Sequence, residues 1–209
     1  MKSFSSWSIE EVEEEFDIYP EDESTLLDEW IDVTCEHSEF ELSWLEYIRA
    51  PLEKRSYIWN EQELIANFIA PLLRLVNFEQ TAYRGFLVRE LSISYKNEKL
   101  SGEVDFMVAQ GRHSPKRYYF FLHEYKRETE YKDPLGQLMV AMVVAQILNQ
   151  DEQPLYGAYV IGRMWFFVVL EGKAYTVHRG FNAATDEVKQ ILCVLKEMRT
   201  IIERMLITK

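Results

Sequence analysis

The sequence has only two cysteines, no long apolar run and few basic residues, and each lack excludes a class of protein. Cys35 and Cys193 alone cannot cage a metal, and His37, His113 and His178 are too scattered for a zinc site to follow from spacing. The segment Met1-Lys2-Ser3-Phe4-Ser5-Ser6-Trp7 lacks the apolar stretch of a secretory leader. A disulfide is therefore not expected, and the cytoplasm is the default compartment. The longest apolar run, Leu138 to Leu148, is broken by Gln146 and falls well short of the roughly 20 residues that cross a bilayer, so no membrane partner is expected. The nucleophile elbow, the P-loop and the dinucleotide glycine pattern are also missing. That removes the motif-based case for a serine hydrolase, an NTPase or a Rossmann enzyme. What remains is a chain of 209 residues, 47% hydrophobic and 28% charged, long enough to bury a core and too apolar for global disorder.

The shortage of basic charge is local. Of 35 acidic residues, sixteen fall in residues 1–50, where only Lys2 and Arg49 oppose them. The rest of the chain is close to neutral, so a sequence isoelectric point near 4.9 argues against nucleic-acid binding only for the first 50 residues. The reading is an acidic N-terminal extension, 1–50, partly packed on a core of 51–209. Ser8 and Glu11 make a capping-box signature before Ile9, Val12 and Phe16. Trp30, Ile31, Trp44, Leu45 and Ile48 are too many large apolar groups for a solvated linker. Such an arm is either a solvated acidic helix or a phosphate mimic that covers a basic groove.

The body reads as alternating blocks. Asn60 to Val76 has helical spacing, with Asn60 as cap and a kink expected at Pro71. Tyr83–Tyr95, Leu100–Ala109 and Tyr118–Tyr125 read as three strands of an antiparallel meander. Asp133-Pro134 opens a helix to Leu148. Tyr156–Ile161, Met164–Leu170 and Lys173–His178 are further strands, and Thr185–Leu206 is a final helix. The fold class is α/β (α+β), a mixed central sheet flanked by helices, in the order α-βββ-α-βββ-α.

The chemistry lies on the meander. Asp105 sits between Val104 and Phe106, and Glu124 and Lys126, two apart on a strand, share a face. If the second and third strands pair, Asp105 and Glu124 converge, and two carboxylates suit a hard cation, Mg²⁺ or Mn²⁺. A lysine beside it would orient an attacking water or stabilise charge developing on phosphorus. Ionisable groups on so apolar a strand are costly unless paired or metal-bound. Arg84, Arg112, Lys116, Arg127 and Lys132 flank these positions in sequence and are candidates for weak phosphate contacts, as are Arg89 and Arg117.

Asp105 followed by Glu124-x-Lys126 on adjacent strands, after an acidic helix start and before another helix, resembles the PD-(D/E)XK nuclease superfamily over about residues 57–180. Val104 stands where the family pattern often has proline. The resemblance implies a restriction-endonuclease-like core and metal-dependent hydrolysis of phosphodiesters, DNA before RNA. It implies Asp105 and Glu124 as metal ligands, with a helix glutamate, Glu61 or Glu63, as a third. Helical phase favours Glu61, four, seven and eleven residues before Ile65, Phe68 and Leu72, and leaves Glu63 as the cap. Lys126 would serve the water, and Gln137, in the first turn of the next helix, would be auxiliary. The alternative is a catalytically silent module of the same fold, whose acidic arm binds a basic protein partner or covers its own groove. A homodimer is compatible with either.

Overall fold

The computed structural model describes residues 2–126, 133–151 and 153–207, the side chains of 123–126 excepted. In chain order the elements are β1 (Lys2–Ser3), a 3-10 turn (Phe4–Ser6), α1 (Ile9–Phe16), β2 (Tyr19–Pro20), α2 (Thr25–Ile31), α3 (Glu39–Arg55), α4 (Glu61–Leu64), a π-helical turn (Ile65–Ile69) and α5 (Ala70–Val76). There follow β3 (Arg84–Tyr95), β4 (Glu98–Gln110), β5 (Arg117–Lys126), α6 (Pro134–Asn149), β6 (Leu155–Ile161), β7 (Met164–Glu171), β8 (Ala174–Val177), β9 (Phe181–Asn182) and α7 (Val188–Ile207).

Local chemistry explains most of these boundaries. Ser8 with Glu11, Ser38 with Glu41 and Asn60 with Glu63 each form a reciprocal capping box, opening α1, α3 and α4. Asp133 caps α6, and Pro134 stands in its first turn, where a missing N–H costs nothing. The expected kink at Pro71 takes the form of the π-helical turn just before it. A widened turn accommodates the proline ring and lets the chain continue into α5.

The described strands form one mixed, nine-stranded sheet, in the order β1-β4-β5-β6-β7-β8-β2, with β3 also on β4 and β9 beside β7. β3, β4 and β5 are the expected antiparallel meander. α6 then crosses over, so that β5 and β6 run parallel, and β6, β7 and β8 are antiparallel. The order α-βββ-α-βββ-α is incomplete in two ways. The first 50 residues are wired into the sheet: β1 lies parallel to Leu100–Ser101 and β2 parallel to Ala174–Tyr175. β9 adds a further short strand. Two-residue strands carry no periodicity, so nothing in the sequence marked them.

The sheet separates two cores. α2, α3, α4, α5 and α7 pack on one face, and α1 and α6 on the other. α6 is apolar nearly all round and is correspondingly buried from Gly136 to Ala145. Trp30 of α2 is fully buried and meets Phe120, Tyr156 and Phe167 edge-on, while its Nε1 donates to the Val194 carbonyl of α7 at 2.8 Å. Residues 25–52 thus belong to the main core and are not a solvated appendage. Cys35 and Cys193 are joined in a disulfide, against the expectation of free thiols; a sequence separation of 158 hides that their Cα atoms lie 5.5 Å apart. Among the described residues no helix is long and apolar enough to cross a membrane.

Trp30→Ala should cost roughly 3–5 kcal/mol, the range for emptying a large aromatic site, measured by denaturant unfolding. A loss below about 1 kcal/mol would mean that α2 is not part of the core.

Candidate active site

β4 has two edges. β3 occupies one of them along almost its full length, from Glu98 to Ala109. β1 and β5 share the other: β1 takes Leu100–Ser101, and β5 takes Phe106–Gln110. Between them, Gly102 to Asp105 carry no ladder pairing on that edge among the described residues. β5 parts from β4 one residue short of Asp105 and continues against β6 to Lys126. The two strands therefore diverge in a notch, with Asp105 on one side and the Glu124–Lys126 segment on the other.

Side-chain alternation changes at the same place. Val104 packs in the α6 core, whereas Phe106, two residues on, packs in the opposite one. A regular strand would put both on the same face. On β3, Phe86 and Leu91 are five apart and still share the α6 core. The residue between the paired Leu87–Phe106 and Arg89–Val104 positions is Val88, opposite Asp105, and its φ is +45°. A β-branched side chain is strained there. Arg89 braces the bend, its Nη1 donating to the Leu87 carbonyl at 2.7 Å and the Val88 carbonyl at 3.0 Å. Asp105 is half-buried, with one carboxylate oxygen withdrawn from solvent.

β5 has its own irregularity. Its register against β6 slips between His123 and Tyr125, which leaves Glu124 at a bulge. The ladder is therefore irregular at Glu124, and bulges of this kind are over-represented next to active sites.

α4, which Glu61 opens, packs beside β5. Glu63 is the capping residue, as its position suggested: its Oε2 accepts from Asn60 N at 2.8 Å. Glu61, however, is exposed rather than on the buried face. The π-helical turn that follows shifts the phase of everything after Leu64, so counting from Ile65, Phe68 and Leu72 at 3.6 residues per turn misplaces it. A first-turn side chain also leans back past the helix end.

Gln137 is 3% exposed, and its buried Nε2 has no hydrogen-bond partner among the described residues. Its neighbours are tightly fixed. The Asp133 carboxylate caps two helices at once, with Oδ1 accepting from Gly136 N at 2.9 Å and Oδ2 from Ile9 N at 2.6 Å. A Cβ on Gly136 would lie 2.5 Å from the Ser8 carbonyl carbon and 2.6 Å from Ile9 N. A Cβ on Gly102 would meet Phe4 Cβ at 2.5 Å. The segment Phe4–Ile9 thus bridges β4 and α6, touching them at Gly102 and Gly136, which are close in sequence to Asp105 and Gln137.

The arginines divide. Arg89 lies on β3 opposite Val104, across β4 from the notch, and lines a cavity of about 620 Å³ whose wall includes Trp44, Phe78, Leu87, Phe106, Arg74 and Arg84. Arg84 lies lower on β3, opposite Ala109, and is paired with Glu79 at 3.6 Å. Arg112 and Lys116 are exposed in the β4–β5 turn, at the other end of the strands from Asp105; at about 3.3 Å per residue, Lys116 is more than 20 Å along β5 from Glu124. They do not belong to the notch. Arg117 is 13% exposed and held by Asp151, a structural pair. Arg127 and Lys132 lie outside the described residues. The strain at Val88 and the place of Arg74 in the cavity wall had no sequence signal. Gly102 and Gly136 did, since an isolated glycine inside a strand or helix marks a close approach.

No protein-family model matches the chain, and no curated protein matches its sequence.

Val88→Gly should relieve the positive φ and stabilise the protein by about 1 kcal/mol, read from the shift in denaturation midpoint. Destabilisation would show that the bend is set by side-chain packing. Gly136→Ala should cost on the order of 1–3 kcal/mol and make residues 1–16 protease-sensitive, because a backbone clash cannot be relieved by rotamer change.

Proposed function

We propose that the chain is a divalent-metal-dependent phosphodiesterase of the PD-(D/E)XK type, built on a restriction-endonuclease-like core and acting on nucleic acid, DNA before RNA. The observation that carries this reading is the notch: β4 and β5 part at Asp105, within a helix, meander, crossover helix and parallel strand succession that agrees with the family pattern. Strain on the neighbouring strand and a bulge at Glu124 are features that cluster at functional sites.

The donor set fits a hard cation. Asp105 and Glu124, with Glu61 directly or through water, would hold Mg²⁺ or Mn²⁺, which supplies Lewis acidity at a phosphoryl oxygen. Lys126, through its ammonium, orients the attacking water and offsets charge developing at phosphorus. Gln137 supplies a buried donor, Nε2, for a water or a phosphoryl oxygen. Arg89 and Arg74, which line the cavity at β3, offer a polyanion further cations.

A second reading, in which the acidic arm covers the site, has one observation in its favour. The arm crosses from Gly102 to Gly136, the glycines flanking Asp105 and Gln137. Its first helix is held by Lys2–Glu11 at 2.9 Å, Lys96–Glu15 at 2.7 Å and a Lys173–Asp17 pair.

Asp105→Ala and Lys126→Ala should each abolish Mg²⁺-dependent cleavage of plasmid and single-stranded DNA while leaving the unfolding midpoint near that of wild type. Activity equal to wild type in either variant sinks the nuclease reading. If the arm covers the groove, Gly136→Ala raises DNA affinity at low salt; unchanged affinity removes the second reading.

A further inference from the structure

A second cluster of ligating groups lies far from the notch in sequence and on other elements. Cys35 and His37 sit between α2 and α3, and Cys193 sits on α7. The one nitrogen His37 Nε2 is 3.7 Å from Cys193 Sγ and 4.0 Å from Cys35 Sγ. The ligand atoms of all three residues lie within 4.8 Å of one another. In a tetrahedral zinc site, Zn–S of about 2.3 Å and Zn–N of about 2.0 Å place sulfur and nitrogen about 3.5 Å apart. The histidine is already near that spacing from both sulfurs. Only the S–S bond stands between this arrangement and a Cys₂His ligand set.

Contacts other than that bond also hold the pocket. Gln190 Nε2 donates to the carbonyls of Ile31 and Val33, both at 2.7 Å, pinning the chain just before Cys35. Lys196 pairs with Glu41 at 2.6 Å, pinning it just after His37. Gln190, Cys193 and Lys196 are successive positions on one stripe of α7, so the cysteine sits between two independent clamps. Trp30, hydrogen-bonded to Val194, anchors the same segment from below. The nearest ammonium groups, Lys196 and Lys189, are each paired with a carboxylate, which lowers the repulsion a dication would meet. Cys35 and His37 are half-buried, leaving a path of entry, and Cys193 is buried.

We infer that Cys35, His37 and Cys193 form a Zn²⁺ site in the reduced protein, so that the disulfide and the metal are alternative closures of one pocket. Two equivalents of a small thiol reduce the S–S bond, become its disulfide and leave a proton on each cysteine sulfur. Zn²⁺ then displaces both protons and takes the two thiolates and the His37 nitrogen, with water in the fourth position. Either closure ties the α2–α3 link to α7. The site is independent of the nuclease reading, because hard carboxylate and soft thiolate sites favour different ions.

The test is Co²⁺ titration of the full chain, reduced anaerobically and freed of reductant, followed by Zn²⁺ competition. The expected result is a thiolate-to-cobalt charge-transfer band that saturates at one equivalent, is bleached by Zn²⁺ and is absent from the oxidised protein. Cobalt held by carboxylates at the notch gives no such band, so failure here and failure of the nuclease reading are separable. Cys35→Ser and His37→Ala should each lose the one-equivalent band while keeping the circular dichroism of wild type; His37→Ala should still form the disulfide. The proposal is overturned if reduced wild type, with both thiols counted free, shows no band. It is equally overturned if the band survives in Cys35→Ser, or if reduction alone unfolds the protein.

Discussion

The separation of β4 from β5 at Asp105 is the constraint on which the rest of the structure turns. A sheet that stayed paired through this point would carry Val104 and Phe106 into the same core. Here they enter opposite cores. That exchange lets one strand serve the α6 face along its first half and add to the α7 face along its second. It also leaves a stretch of β4 edge, Gly102 to Asp105, without a ladder partner between β1 and β5 among the described residues. The bend is held by a strained Val88 and by Arg89, which donates to the Leu87 and Val88 carbonyls.

The acidic arm solves a related problem. An open edge on β4 invites pairing with another chain, and β1 fills part of it. Tyr19–Pro20 ends the sheet at its other side, with a proline that cannot donate to a further strand. The arm's glutamates are engaged mainly at the periphery: Glu13 Oε1 accepts from the Tyr175 hydroxyl at 2.6 Å, holding that phenol protonated well above its usual range, chiefly because it is buried. Exposed ion pairs contribute little. The docking itself rests on Trp7, Val12 and Ile18 in the α6 core and on the Asp133 double cap.

How much of this was legible depended on whether residues a few positions apart carried the information. The meander, α6 with its Asp133-Pro134 start and the caps at Ser8 and Asn60 followed from spacing alone, because each is a local pattern. The motif Asp105…Glu124-x-Lys126 could be located on adjacent strands for the same reason. What spacing could not give was anything set by long-range approach: the two edge strands of the arm, the Cys35–Cys193 bond and the break in alternation at Asp105. Glu61 shows the intermediate case. Its helix was correctly placed, but one π-helical turn upset a phase argument that assumed uniform geometry. The arginines failed similarly, since nearness in sequence to a strand says nothing about which end of that strand matters.

Trp30 is separated from its hydrogen-bond partner Val194 by 164 residues, and its three aromatic neighbours lie on β5, β6 and β7. During synthesis, α2 and α3 must therefore wait for most of the body to be made before their apolar side can be covered. Local helices form within microseconds, whereas non-local closure of this kind is slow. For that interval the nascent chain displays tryptophans and leucines beside a dense set of carboxylates. The same glutamates that add little to the finished fold keep the waiting segment dispersed through mutual repulsion, a service to folding rather than to the folded state.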